Sequence, residues 1–218
     1  MRMRIYLGPL AFSLFMGMFV CVRSICNSIE PRGIVIHHAA MPLAADGSEP
    51  NVDVIDYVHK QRGFHAFYWG HTYHVGYHYV VLRDGSIQGG RPEHLIGAHT
   101  KGHNSYLGIC LIGNFSSADK SASGMNMPTE QQMASLGRLV RYLQKKYSIP
   151  MERIFEHRDL DPDTECPGDR FPPVEALVNM NVLGDRTAQA PLSTAQVELK
   201  IPFTQAFSHR RPTSGDRP

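Results

Sequence analysis

Gly33-Ile34-Val35-Ile36-His37 is the stretch on which the fold turns: three consecutive apolar β-formers follow Pro31 and Arg32 and end on a histidine. A short, unbroken apolar run of this kind reads as a strand buried on both faces. Ile154-Phe155-Glu156-His157 repeats the pattern near the other end of the chain. A histidine at the end of a buried strand is held rigidly at the rim of a sheet, which sets His37 and His157 apart from the rest of the 12 histidines.

Working outward from the first strand, residues 41–50 form a loop rich in Ala, Gly and Pro. Asn51 then caps a helix over 52–62, with Val54, Ile55 and Val58 expected on its buried face and Gly63 as its stop. Residues 64–75 are aromatic-rich, and the expectation is an irregular surface insertion that shapes access to whatever site the domain carries. Alternation over 77–82 gives a strand, Arg83-Asp84-Gly85-Ser86 supplies hairpin chemistry, and 107–112 is another apolar strand. The clearest helix spans 130–147, where Thr129 and Gln132 make a capping box. Met133, Leu136, Leu139, Val140 and Leu143 recur there at helical spacing. Pro172 and Pro173 open a last helix that ends near Leu177. Strands alternating with helices predict an α/β fold, a single domain with a central mixed β-sheet flanked by α-helices.

The two ends of the chain read differently. Residues 1–24 begin Met1-Arg2-Met3-Arg4 and continue into an apolar run over 5–22, the pattern of a secretory signal peptide cleaved after Ser24. The apolar run also just reaches the length of a membrane span, so an uncleaved anchor is the rival reading. Taking Arg2, Arg4 and Arg23 away from the formal charge of +2 leaves −1 for the remainder, so nothing in the charge supports a nucleic-acid partner. Residues 25–182 are enough for one domain with a real core, and a monomer is expected. Residues 183–218, rich in Thr, Gln, Ser and Pro without apolar periodicity, read as a disordered tail. Export places the protein in the periplasm or outside the cell.

Of the four cysteines, Cys21 and Cys26 lie in or beside the leader, and only Cys110 and Cys166 fall inside the domain. In an oxidising compartment these two could pair, which would leave no metal ligand. The other reading starts from Cys166, which follows His157 by nine residues in a turn marked by Pro167 and Gly168. Two imidazoles and one thiolate leave the fourth tetrahedral position to water, the catalytic rather than the structural kind of zinc site.

The ordered motifs carry a family resemblance. Ile34-Val35-Ile36-His37-His38-Ala39-Ala40, Val75-Gly76-Tyr77-His78-Tyr79 and Gly97-Ala98-His99-Thr100-Lys101-Gly102-His103-Asn104-Ser105 are three of them. Leu107-Gly108-Ile109-Cys110-Leu111-Ile112-Gly113, Glu156-His157-Arg158-Asp159 and Glu165-Cys166-Pro167-Gly168 complete the set in order. Together they resemble the zinc-dependent N-acetylmuramoyl-L-alanine amidases of the phage-lysozyme and peptidoglycan-recognition-protein type, over residues 33 to about 180. The resemblance implies Zn2+ on His37, His157 and Cys166, with His38 a neighbour of the first ligand. It implies catalytic roles for Tyr77 and Thr164 in holding water, substrate and oxyanion. It places His99 and Asn104 in the loop that relatives turn towards the muropeptide, where each could equally be a structural hydrogen-bonder. Arg91 and Lys101 are candidates for meeting peptide carboxylates. The implied reaction is hydrolysis of the amide between the muramic acid lactyl group and L-alanine in peptidoglycan.

Two departures from the family pattern stand out. The His157-to-Cys166 interval is one residue longer than in recognition proteins, which shifts Thr164. The strand that carries a Glu in some cytoplasmic relatives has Cys110 here, best read as a small buried hydrophobe. A recognition module of the same fold that binds muropeptides without cutting them is the competing function. Such modules typically lose the cysteine ligand, and this chain keeps it. A zinc hydrolase acting on another amide would share the trio but not the setting of Tyr77 and the 98–105 loop.

Overall fold

A computed structural model of the protein describes residues 28–44, 46–118, 125–174, 176–177 and 197–198. The leader and most of the tail therefore lie outside the described residues. Among these residues no helix is long and apolar enough to cross a membrane.

The quoted stretch forms strand β1 (Ile34–His38), every residue of which is buried. It is flanked by two parallel neighbours, β6 (Leu107–Leu111) and β7 (Ile154–Glu156). Beyond β6 lie β4 (Tyr79–Val81), parallel to it, and β5 (Ile87–Gly89), antiparallel to β4 through the turn at Gly85. The two-residue strand β8 (Val197–Glu198) pairs with β5 and completes a mixed six-stranded sheet in the order β7-β1-β6-β4-β5-β8.

Strand alternation divides the sheet into two faces. Ile34, Ile36, Leu107, Ile109, Leu111, Tyr79 and Val81 share one apolar cluster with Leu136, Leu139 and Leu143 of the long helix α2 (Glu130–Tyr147). Those three leucines are fully buried, and each contributes about 1.5–3 kcal/mol in removing its side chain from water. The capping box at Thr129 and Gln132 forms as expected, and Thr129 Oγ1 also donates to the Arg83 carbonyl, tying the helix start to the β4–β5 turn. At the other end of α2, the Glu93 carboxylate gathers the Lys146 ammonium and the Tyr79 and Tyr147 hydroxyls.

The opposite face packs Val80, Cys110 and Ile112 against helix α1 (Val52–Gln61), whose start is capped by the Asn51 side chain. The buried stripe of α1 is Val52, Ile55 and His59, not the expected set with Val54, which is 40% exposed. His59 takes the core position because its Nδ1 accepts the Gly76 N–H at 2.9 Å, so a polar side chain is satisfied where an apolar one was expected.

The expected irregular insertion is a β-hairpin. Strands β2 (Ala66–Tyr68) and β3 (His71–Tyr73) pair antiparallel around Trp69-Gly70. Both turn residues have positive φ (50° and 78°), the geometry of a type I′ turn, and Trp in place of the usual Asn or Asp hides that signature in the sequence. The hairpin base is anchored by Asp56 Oδ1, which accepts the N–H groups of His74 and Val75.

Candidate metal centre and its surroundings

Alternation along β1 sends His37 to the α1 face, beside Cys110 in register on β6. His38 goes to the α2 face, where its Nδ1 accepts the Phe115 N–H at 3.0 Å and its ring packs on Phe115 at 5.8 Å. His157 opens the short helix α3 (His157–Leu160), fixed by a reciprocal cap between Glu156 and Asp159. Arg158 bridges this helix to the following loop: its guanidinium pairs with Glu156 and donates to the Gly168 carbonyl, and its backbone N–H donates to the Cys166 carbonyl at 2.8 Å. At Gly168, φ is +101° and an added Cβ would lie 2.3 Å from the Phe115 carbonyl carbon, so only glycine lets the chain bring Cys166 against the sheet.

These constraints bring His37, His157 and Cys166 together, with one ligand atom from each within 4.8 Å of the others. His37 Nδ1 lies 3.6 Å from Cys166 Sγ, and the His37 and His157 rings are 4.5 Å apart between centroids. His157 Nε2 is buried without a hydrogen-bond partner, 4.0 Å from the Asp161 carboxylate. A buried nitrogen without a partner beside a thiol and a second imidazole is the donor set that suits a zinc ion, so the residues fit a metal. Cys110 and Cys166 are both free thiols, so the disulfide alternative is not realised here.

The electrostatics follow from burial. Desolvation, then the neighbouring imidazoles of His99, His157 and His38, holds His37 well below its ordinary pKa. Burial likewise lowers His157, and it pushes the Cys166 thiol up to about 12. The imidazoles are thus neutral and carry free lone pairs, while the thiol needs a cation to become a thiolate.

Tyr77 packs against this group, its ring 5.1 Å from His37 and 5.4 Å from His59. Its hydroxyl is raised well above its ordinary value, first by burial and then by the nearby thiols of Cys110 and Cys166. Thr164 Oγ1 accepts the Cys166 N–H at 3.2 Å, which sets the hydroxyl beside the thiol. Asn104 Oδ1 accepts the N–H groups of His99 and Thr100, closing the 99–104 loop. His99 Nδ1 meets His37 Nε2 at 3.1 Å, a contact between loop and first strand that no local pattern announces. Arg91, read from the sequence as a carboxylate contact, is instead 4% exposed, donating to the carbonyls of Val75 and Ile96; Lys101 is exposed.

Known proteins resemble this chain in sequence and in fold. The endolysin of Enterobacteria phage K11 is 33% identical over 110 residues, which are 50% of this chain and 64% of the endolysin, so the match spans just under two thirds of that relative. The endolysin LysCS from Clostridium intestinale URNW superposes with a TM-score of 0.55 at 36% identity, covering 70% of this chain and 85% of its own. A tyrosine-to-phenylalanine mutant of Drosophila peptidoglycan-recognition protein LB, solved in complex with tracheal cytotoxin, superposes with a TM-score of 0.50 at 28% identity, covering 66% and 80%. With the family's sequence model matching residues 27–169, well over half of the sequence, this chain belongs to the N-acetylmuramoyl-L-alanine amidase family.

Proposed function

We propose that the protein is a zinc-dependent N-acetylmuramoyl-L-alanine amidase that hydrolyses the amide joining the muramic acid lactyl group to L-alanine in peptidoglycan or muropeptides. The observation that carries this reading is the convergence of His37, His157 and Cys166 with Tyr77 packed on the first ligand. Zinc held by the trio supplies Lewis acidity, lowering the pKa of water and polarising the scissile carbonyl.

The chain's own groups do the rest. The rigid strand end and the capped α3 hold both imidazoles in place, neutral and ready to ligate. Thr164, with its oxygen engaged by the Cys166 N–H, keeps a hydroxyl proton to donate to the oxyanion that develops at the carbonyl. Tyr77, its ring packed on His37, offers a second donor. The same reading has residues 1–24 export the protein to the periplasm or the medium, where it works as a monomer. Membrane contact arises only if that segment is retained.

The test is zinc content together with newly freed amino termini on purified peptidoglycan. About one zinc per chain, with cleavage lost in Cys166→Ala and on chelation and restored by added zinc, is the expected result. Zinc and tight muropeptide binding without cleavage would make the protein a recognition module instead. Absence of zinc under reducing conditions would overturn the metal reading.

A further inference from the structure

We propose that His99 is a positioning residue that selects the tautomer of His37, so that Nδ1 and not Nε2 faces the metal. The role rests on the reading of His37, His157 and Cys166 as a metal site, and it follows from a chain of hydrogen bonds that can be solved for its protons. His99 Nε2 lies 3.0 Å from the Tyr106 carbonyl oxygen. A carbonyl can only accept, so Nε2 carries the proton and Nδ1 of the neutral ring is a bare acceptor. That acceptor faces His37 Nε2 at 3.1 Å, so His37 Nε2 must be the donor. The remaining nitrogen of His37, Nδ1, is left with its lone pair, and it is the one 3.6 Å from Cys166 Sγ. Thr100 Oγ1, 3.3 Å from His37 Nε2 and 2.9 Å from His99 Nδ1, offers a relay of the same polarity, accepting from His37 and donating to His99; whether direct or through this hydroxyl, the bond keeps the proton on His37 Nε2.

The His99 ring is itself immobilised. A Cβ added at Gly97 would lie 2.5 Å from its Cδ2, and one at Gly108 would lie 2.6 Å from the same atom. The imidazole thus occupies the space that two side chains would fill, clamped between the loop and the start of β6. Its ring stands edge-on to His37, 80° between planes at 5.1 Å. A ligating histidine whose second nitrogen donates to a fixed acceptor is held in both tautomer and orientation. Here the acceptor is a neutral imidazole rather than a carboxylate, so it orients the ligand without adding charge to the site.

The experiment uses the full chain, its His99→Leu and His99→Gln variants, zinc competition against a chromophoric chelator, and two-bond 1H–15N spectra of the metal-free wild type. His99→Leu, which removes the acceptor, is expected to weaken zinc binding about 10–100-fold. His99→Gln, whose amide offers an oxygen to His37 and an N–H to Tyr106, is expected to stay within about threefold of wild type. The spectra should report the proton of His37 on Nε2 and that of His99 on Nε2. They decide the question alone if His99→Leu does not fold. A folded His99→Leu that holds zinc as tightly as wild type, or a His37 proton found on Nδ1, overturns this role and leaves the amidase reading intact. Wild-type protein that binds no zinc overturns both.

Discussion

Acid should destabilise this fold through buried histidines outside the candidate metal trio, and His78 isolates the effect. His78 is 1% exposed; its Nδ1 accepts the Gly108 N–H at 2.9 Å and its Nε2 donates to the Leu95 carbonyl at 3.0 Å. Protonation would set an N–H against the Gly108 N–H in a buried site. Burial is the main cause that brings its pKa from 6.5 down to about 4; Arg91 and His94 push the same way, and the Leu95 carbonyl and Glu93 oppose them. His99 stands edge-on at 5.7 Å.

Because the folded value lies below the unfolded one, the unfolded chain takes up the proton first as pH falls. The contribution is complete above about pH 6.5, is lost progressively on the way down to about pH 4, and changes no further below that. At about pH 5 the loss amounts to roughly 2 kcal/mol, and the local slope is about 1.2 kcal/mol per pH unit. Urea unfolding followed by far-UV circular dichroism between pH 5 and 8 measures it. The comparison is with His78→Gln, whose amide can serve Gly108 and Leu95 without titrating, so every other ionisable group cancels. The variant's slope below pH 6.5 should be smaller by about 1 kcal/mol per unit. Equal slopes in the two proteins, or a His78 that titrates near 6.5 by NMR, would refute the reasoning.

Three further outcomes follow from the geometry. His37→Gln should abolish stoichiometric zinc, whereas His38→Gln should keep it and change stability by no more than about 1 kcal/mol, because His38 serves the Phe115 N–H; zinc content and urea midpoints decide. Gly168→Ala should cost more than about 1 kcal/mol, since φ is +101° and the new Cβ meets the Phe115 backbone. It should also weaken zinc in the chelator assay by displacing Cys166. Thr129→Ala should lower stability by about 1–2 kcal/mol through loss of the α2 cap, with zinc binding per folded molecule unchanged.

Much of the architecture was legible locally. Helix α2 announces itself because its cap and its apolar period are written in consecutive residues, and β1 and β6 do so because central parallel strands must be apolar on both faces. The β2–β3 hairpin stayed hidden because its turn uses Trp69, a residue that propensity does not associate with positive φ. Val54 misled because the buried stripe of α1 runs through Val52, Ile55 and His59, so its last core position is a histidine.

The site divides along the same line. By itself the sequence determined which residue types are present and in what order: a histidine at the end of each of two buried strands and a cysteine in a Pro-Gly turn, a candidate set of metal ligands. Parity along β1 also guarantees that His37 and His38 point to opposite faces, since side chains alternate with period two. Which face carries the site is a different matter. It depends on where helix α2, α1 and the 163–168 loop pack, and those contacts join residues distant in the sequence, 129 positions apart for Cys166 and His37. Only the tertiary structure places Cys166 beside His37 Nδ1, gives His38 to Phe115, and seats His99 between Gly97 and Gly108. The physical reason is that a ligand's chemistry is a property of its side chain, whereas its tautomer and aim are set by neighbours that the chain order does not bring near.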